Sequence, residues 1–200
     1  MGRCGILGGT FNPIHIGHLM IAEQAYSEFS LKRVLIMPSG NSYFKQDMDV
    51  PPGKVRLEMC KIAAGDNPHF EVSDIEVLRE GKTYTYETLE ELKFRYPKDE
   101  FYFICGADIV RQIKLWKNPE KIFQNCIVLA AVRDDTDEIK LCELIEDYKK
   151  SFSARIKIMH TPRMDISSTS IRNMIERNRS TKYYLPDALS DYIKKNHIYK

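Results

Sequence analysis

Residues 4–18 read Cys4-Gly5-Ile6-Leu7-Gly8-Gly9-Thr10-Phe11-Asn12-Pro13-Ile14-His15-Ile16-Gly17-His18. A short apolar run passes through two glycines and a hydroxyl, and from Ile16 a helix-period pattern reaches Phe29. This is the pattern of a strand, a tight turn and a helix, the opening of a βαβ unit. Glycine lets main chain approach a ligand closely, and a helix start offers unpaired N–H groups and a partial positive charge. The natural guest of Gly8, Gly9 and Thr10 is therefore a phosphate. The dinucleotide fingerprint G-x-G-x-x-G and the P-loop G-x-x-x-x-G-K-[ST] need glycine and lysine placements that this stretch lacks.

His15 and His18 stand three apart, a spacing that puts both imidazoles on one face of a first helical turn. There they can converge on one phosphate, and Gly17 between them leaves a patch without a side chain for a flat base or a ribose. Two histidines near a helix start, taken alone, are usually caps or surface residues; the Gly-Gly-Thr loop before them favours the phosphate reading. Zinc needs three or four ligands, and the metalloprotease motif H-E-x-x-H spaces its histidines by four, so no metal-ligating residue is assigned.

The strand-helix alternation continues along the chain. Apolar runs at Cys4–Leu7, Val34–Met37, Phe70–Val72, Phe101–Cys105, Ile127–Val132 and Ile156–Met159 read as buried strands. Helix-period segments fall between and after them, near Ile16–Phe29, Gly53–Ala64, Tyr86–Tyr96, Glu138–Lys150, Ser170–Arg177 and Asp187–Lys195. Together they predict an α/β fold, a Rossmann-like parallel sheet with helices on both faces, in a single domain over 1–200. Such sheets bind ligands beyond the carboxyl ends of their strands. The segment Ser39–Gly53, with Pro51-Pro52, is expected to be a mobile loop.

Composition narrows the function by exclusion. With 30 basic and 28 acidic residues the net charge is +2 over 200 residues, too balanced for a field that would draw nucleic acid or an anionic membrane. Small anionic substrates stay open. Five cysteines form no C-x-x-C pair, and the N-terminal apolar run is too short for a signal or a span, so a reducing cytoplasm is the expected location.

A second loop matters. Ile166-Ser167-Ser168-Thr169-Ser170-Ile171-Arg172 is a hydroxyl cluster opening another helix. Ser and Thr are good helix caps, but Arg172 within the first turn adds a guanidinium that can hold a phosphate in two places. Two phosphate cradles on one sheet suggest a polyphosphate, one cradle for the reacting phosphate and the other for a departing pyrophosphate.

These two segments together resemble the signature of the H-x-G-H nucleotidyltransferase superfamily, Gly-Gly-Thr-Phe-x-Pro-x-His-x-Gly-His near the start and Ile-Ser-Ser-Thr-x-Ile-Arg near the end. Within it, the whole chain is similar to the bacterial nicotinate-mononucleotide adenylyltransferases. Arg79-Glu80-Gly81-Lys82-Thr83-Tyr84-Thr85, Gly106-Ala107-Asp108, Trp116 and the closing stretch Leu185–Tyr199 carry that closer match. The resemblance implies an enzyme of NAD biosynthesis that moves AMP from ATP to nicotinate mononucleotide with Mg²⁺. It implies that Gly8, Gly9, Thr10, Phe11, His15, Gly17, His18, Ser168, Thr169 and Arg172 serve ATP, with Arg133 a further contact. Gly106 and Asp108 would border adenine and ribose. Tyr84, Thr85 and Trp116 would define a pyridine pocket, and Lys45 would meet a phosphate. Lys117 occupies a place often held by Tyr in that family, Ser42-Tyr43-Phe44-Lys45 replaces Pro-Pro-His-Lys, and Arg133 is followed by Asp134-Asp135 rather than Pro-Gly.

The chemistry asks for little else. A phosphate monoester has a second pKa of about 6 and is already largely an anion at neutral pH, so the acceptor needs no general base. Positioning and charge stabilisation suffice for in-line attack on the α-phosphorus. The same two motifs also serve phosphopantetheine adenylyltransferases and cytidylyltransferases, and a non-catalytic nucleotide-binding protein could keep part of them.

Overall fold

The computed structural model describes residues 2–42, 50–132 and 135–199. Each apolar run foreseen in the sequence is a strand. In chain order, with the helices, the elements are β1 (Arg3–Gly9), α1 (Ile16–Glu28), β2 (Arg33–Pro38), β3 (Asn41–Ser42), α2 (Gly53–Ala64), β4 (Phe70–Val72), α3 (Ile75–Leu78), β5 (Lys82–Thr83) and α4 (Thr85–Arg95). They continue as β6 (Glu100–Gly106), α5 (Ala107–Val110), a 3-10 turn at Ile113–Leu115, α6 (Pro119–Asn125), β7 (Cys126–Val132), α7 (Asp135–Phe152), β8 (Ile156–His160), α8 (Ser168–Glu176) and α9 (Asp187–Lys195). The main sheet has the order β4-β2-β1-β6-β7-β8, a Rossmann-like α/β arrangement, and β3 pairs with β5 in a separate two-stranded ribbon. The strand order reverses beside β1, and α/β sheets bind ligands beyond the carboxyl ends of strands at such a switch. Gly8 and Gly106 lie at those ends of the neighbouring strands β1 and β6.

Main-chain packing divides the chain into two compact units. One comprises Met1–Gly8, Ile21–Val34 and Tyr84–Arg163; the other comprises Gly9–Met20, Leu35–Thr83 and Met164–Lys200. In the first, β1, β6, β7 and β8 run parallel, with Leu7 opposite Ile104, Phe103 opposite Val128 and Ala130 opposite Ile158. All seven residues of β7 are buried, and a strand covered on both faces reads as the unbroken apolar run Cys126–Val132. At Gly5 a Cβ would lie 2.9 Å from the Leu31 side chain and 3.1 Å from Val34, so a larger residue would push those side chains apart. Tyr148 of α7 is fully buried, and its hydroxyl donates to the Val110 carbonyl at 3.0 Å, so the one polar atom of a large core side chain is satisfied.

In the second unit α2 buries Leu57, Met59, Cys60, Ala63 and Ala64, and Leu189 and Ile193 of α9 are buried as α9 packs on α2. Gly40 lies so close to the main chain that a Cβ would come within 2.1 Å of the Glu76 carbonyl oxygen. The chain entering the β3–β5 ribbon is therefore held at contact distance.

Candidate active site

The segment Gly9–Pro13 is gripped by its carbonyls. Ser39 N–H donates to Gly9 O at 2.8 Å, Arg56 Nη1 to Thr10 O at 2.7 Å, Arg172 Nη1 to Asn12 O at 2.8 Å and Ser168 Oγ to Pro13 O at 2.8 Å. Such a loop is over-determined, which is how a strained conformation persists. Phe11 sits at φ +49°, a left-handed conformation that costs a side-chain-bearing residue about 1–2 kcal/mol. Its ring is buried, lies against Gly9 and meets the His18 ring edge-on at 5.1 Å between centroids.

The two histidines are brought together. His15 precedes α1 and is buried, 6% exposed, and its ring centroid lies 3.7 Å from that of His18. The His15 N–H donates to His18 Nδ1 at 3.2 Å, the reciprocal half of a capping box with a histidine at the third helical position. With Nδ1 accepting, the proton of the neutral ring resides on Nε2, so His18 is a donor at Nε2 in either protonation state. At Gly17 a Cβ would lie 3.2 Å from Cε1 and Nδ1 of His15. A side chain there would crowd that ring, a reason for glycine that the sequence does not disclose.

Helix α8 brings the late motif to the same loop. Ser167 caps it through a full capping box with Ser170, and this frees neither hydroxyl for a ligand. Ser168 holds Pro13, and Arg172 holds Asn12 together with Thr169 Oγ1 at 3.3 Å. Two of the five guanidinium N–H groups are so engaged. Two residues of this unit escape the sequence reading. Arg56 is one; the other is Asn12, 5% exposed, whose side-chain amide has no hydrogen-bond partner at either polar atom among the described residues. Buried polar groups are nearly always hydrogen-bonded, so an amide left this way is a candidate contact for a ligand or a water. Its only signal in the sequence was its place inside the motif.

The other residues lie in the first unit. Thr85 is the first residue of α4, so its N–H belongs to the set with no partner inside the helix. Tyr84 precedes it, and the Lys117 ammonium lies 4.2 Å from the Tyr84 ring centroid. Trp116 is half-buried, edge-on to Phe103 at 6.2 Å, so it is not the enclosed core aromatic that a lone Trp usually is. Tyr86 donates its hydroxyl to Glu87 at 2.7 Å, and that bond raises the Tyr86 pKa. Asp108 is exposed and turns back over Gly106, where a Cβ would lie 2.5 Å from its Oδ1. Lys45 and Arg133 lie outside the described residues, as does the middle of the 39–53 loop. Among the described residues no three His, Cys, Asp or Glu side chains are grouped to hold a metal ion, and no helix is long and apolar enough to cross a membrane.

The cytidylyltransferase-like family model matches residues 6–174. A probable nicotinate-nucleotide adenylyltransferase of Lachnoclostridium phytofermentans is 39% identical over 199 residues, covering all of both chains. The chain belongs to the nicotinate-nucleotide adenylyltransferase family. A probable family member from Moorella thermoacetica is 40% identical over 200 residues, covering all of this chain and 92% of its own. The solved nicotinic acid mononucleotide adenylyltransferase of Plasmodium falciparum, complexed with NaAD, superposes with a TM-score of 0.78 at 21% identity, covering all of this chain and 98% of that one. That last likeness is one of fold. Nucleotidyltransferases of this family generally use a divalent metal with ATP.

Proposed function

We propose that this protein transfers the adenylyl group of ATP to nicotinate mononucleotide, releasing pyrophosphate and forming deamido-NAD. The observation that carries the reading is the latched Gly9–Pro13 loop with the His15–His18 pair set against it, ring centroids 3.7 Å apart. An acceptor phosphate oxygen attacks the α-phosphorus, the new P–O bond forms there, and the bond to the bridging oxygen of the β-phosphate breaks. His18 Nε2, His15, the remaining N–H groups of Arg172 and the main chain of Gly8, Gly9 and Thr10 would hold the phosphoryl oxygens and offset the charge that grows on them. Mg²⁺ would neutralise the departing pyrophosphate. It suits such a site, because it keeps several waters and is commonly held through nucleotide phosphates rather than a protein cage. Gly106 and Asp108 would border adenine and ribose. Trp116 would stack on the pyridine, and the Thr85 N–H at the start of α4 would meet its carboxylate, with Tyr84 beside it. The same reading gives Lys45 a phosphate contact and Arg133 a contact with ATP, in a cytoplasmic enzyme.

The test is release of pyrophosphate from ATP and Mg²⁺ with nicotinate mononucleotide, nicotinamide mononucleotide or 4′-phosphopantetheine, and from CTP with glycerol 3-phosphate. Turnover with the pyridine mononucleotides alone is expected. Turnover confined to phosphopantetheine or to CTP would move the chain to another branch of the superfamily, and ATP binding without turnover on any acceptor would make it a binding protein.

A further inference from the structure

Helix α2 carries an arginine on its buried side, three and four positions before the buried Met59 and Cys60. Arg56 is 4% exposed, yet every acceptor it meets among the described residues is a main-chain carbonyl. Nε donates to Pro51 O at 3.0 Å, Nη1 to Thr10 O at 2.7 Å, and Nη2 to Ser39 O at 2.7 Å and Gly40 O at 3.4 Å. Burial lowers its basicity, the nearby Cys60, Tyr199 and Glu76 only partly opposing this. A buried cation without a carboxylate partner is costly, and a leucine would fill the space without that cost. What an apolar side chain could not do is orient peptide planes.

In a trans peptide the C=O and N–H point in opposite directions. Drawing the Thr10 and Ser39 carbonyls onto Arg56 therefore turns the N–H groups of Phe11 and Gly40 away from it. Neither N–H meets an acceptor among the described residues. We propose that Arg56 is a positioning residue of the phosphate cradle: without touching the ligand, it holds the Thr10 and Ser39 carbonyls back so that the Phe11 and Gly40 N–H groups face phosphoryl oxygens. Lysine, a point charge without a planar fork, cannot hold carbonyls of three segments at once. The inference rests on the phosphate role given above to the Gly8–Thr10 loop.

The test uses the full chain as wild type, Arg56→Met and Arg56→Lys, each checked for a cooperative melt, with sodium tripolyphosphate as probe. Amide ¹⁵N–¹H shifts of Phe11 and Gly40 should move on titration of the wild type and stay still in both variants, with affinity for the probe reduced about tenfold or more. In turnover, kcat should fall about 10²-fold in Arg56→Met and less in Arg56→Lys, with KM for the acceptor mononucleotide unchanged. Wild-type probe affinity and kcat in either folded variant would overturn the proposal, and should Arg56→Met not fold, Arg56→Lys decides alone. A wild type that binds tripolyphosphate through these amides but transfers no adenylyl group would leave Arg56 in its place and overturn the enzymatic reading instead.

Discussion

At the scale of single residues, the stacked histidines make the sharpest prediction. His18 Nδ1 is occupied by the His15 N–H, so in the proposed reaction Nε2 is the atom that would face the oxygens gaining charge in the transition state. His18→Ala is expected to lower kcat by about 10²-fold or more while acceptor affinity, measured by calorimetry, stays within a few-fold. Normal turnover would remove this histidine from the mechanism. Trp116 makes the converse case. Half-buried and touching Phe103 only at an edge, its ring is suited to stacking, and Trp116→Ala should weaken the pyridine nucleotide by about 1–3 kcal/mol while ATP binding changes little. Equal losses for both ligands in separate titrations would return it to the core. The Gly8–His18 and Ser167–Arg172 motifs were legible in the sequence because their chemistry and spacing are unusual, and the fold brings them to one loop. Arg56 was not, because in Lys54-Val55-Arg56-Leu57-Glu58 a basic residue reads as one more solvated side chain, and only the fold reveals that it points inward.

At the scale of elements, the carboxylate contact proposed for Thr85 would put substrate choice at the start of α4. Thr85 opens the helix, with the Lys117 ammonium beside Tyr84 and Lys121 5.3 Å from the Tyr86 ring centroid. Donors and partial positive charge gather there, which suits a carboxylate that only accepts; an amide would turn its own donors toward them. The expected outcome is a kcat/KM for nicotinate mononucleotide roughly 10² to 10⁴ above that for the nicotinamide form, measured at fixed ATP and Mg²⁺. Lys117→Ala should cost only a few-fold, because an exposed ammonium is well screened. Equal use of both acceptors would remove α4 from the discrimination. The main strands and long helices followed the hydrophobic period to within a residue or two, except that α7 begins three residues before the expected Glu138. The period is silent over α3, α5, α6 and the β3–β5 ribbon, since a segment of two to seven residues completes at most two helical turns.

At the scale of the whole molecule, four of the five cysteines are buried and Cys142 is exposed. Burial pushes the Cys60 and Cys126 thiols up to about 12 and raises Cys105 as well. A raised pKa in the fold favours the neutral thiol, so this part of the stability is complete below the unfolded value of about 8.5 and is lost as pH climbs from there toward the folded values. At pH 8 a disulfide reagent such as DTNB should modify one thiol quickly in the native protein and the other four only in denaturant, and the melting temperature should fall between pH 8 and 10. Two or more fast thiols would mean that the interior opens readily.

The grip on the Gly9–Pro13 carbonyls also fixes when the site can come into being. Two of its four ties come from Ser168 and Arg172, separated from their partners by 155 and 160 positions, and the Ile16 N–H that opens α1 is taken by the Tyr184 carbonyl. Contacts of such long range are the slowest to form. On the ribosome, the first motif made is thus among the last to take its working shape. A chain that stops short of residue 168 would carry the whole Gly-Gly-Thr-Phe signature yet lack both ties, so its loop is expected to bind the tripolyphosphate probe more weakly than that of the full chain.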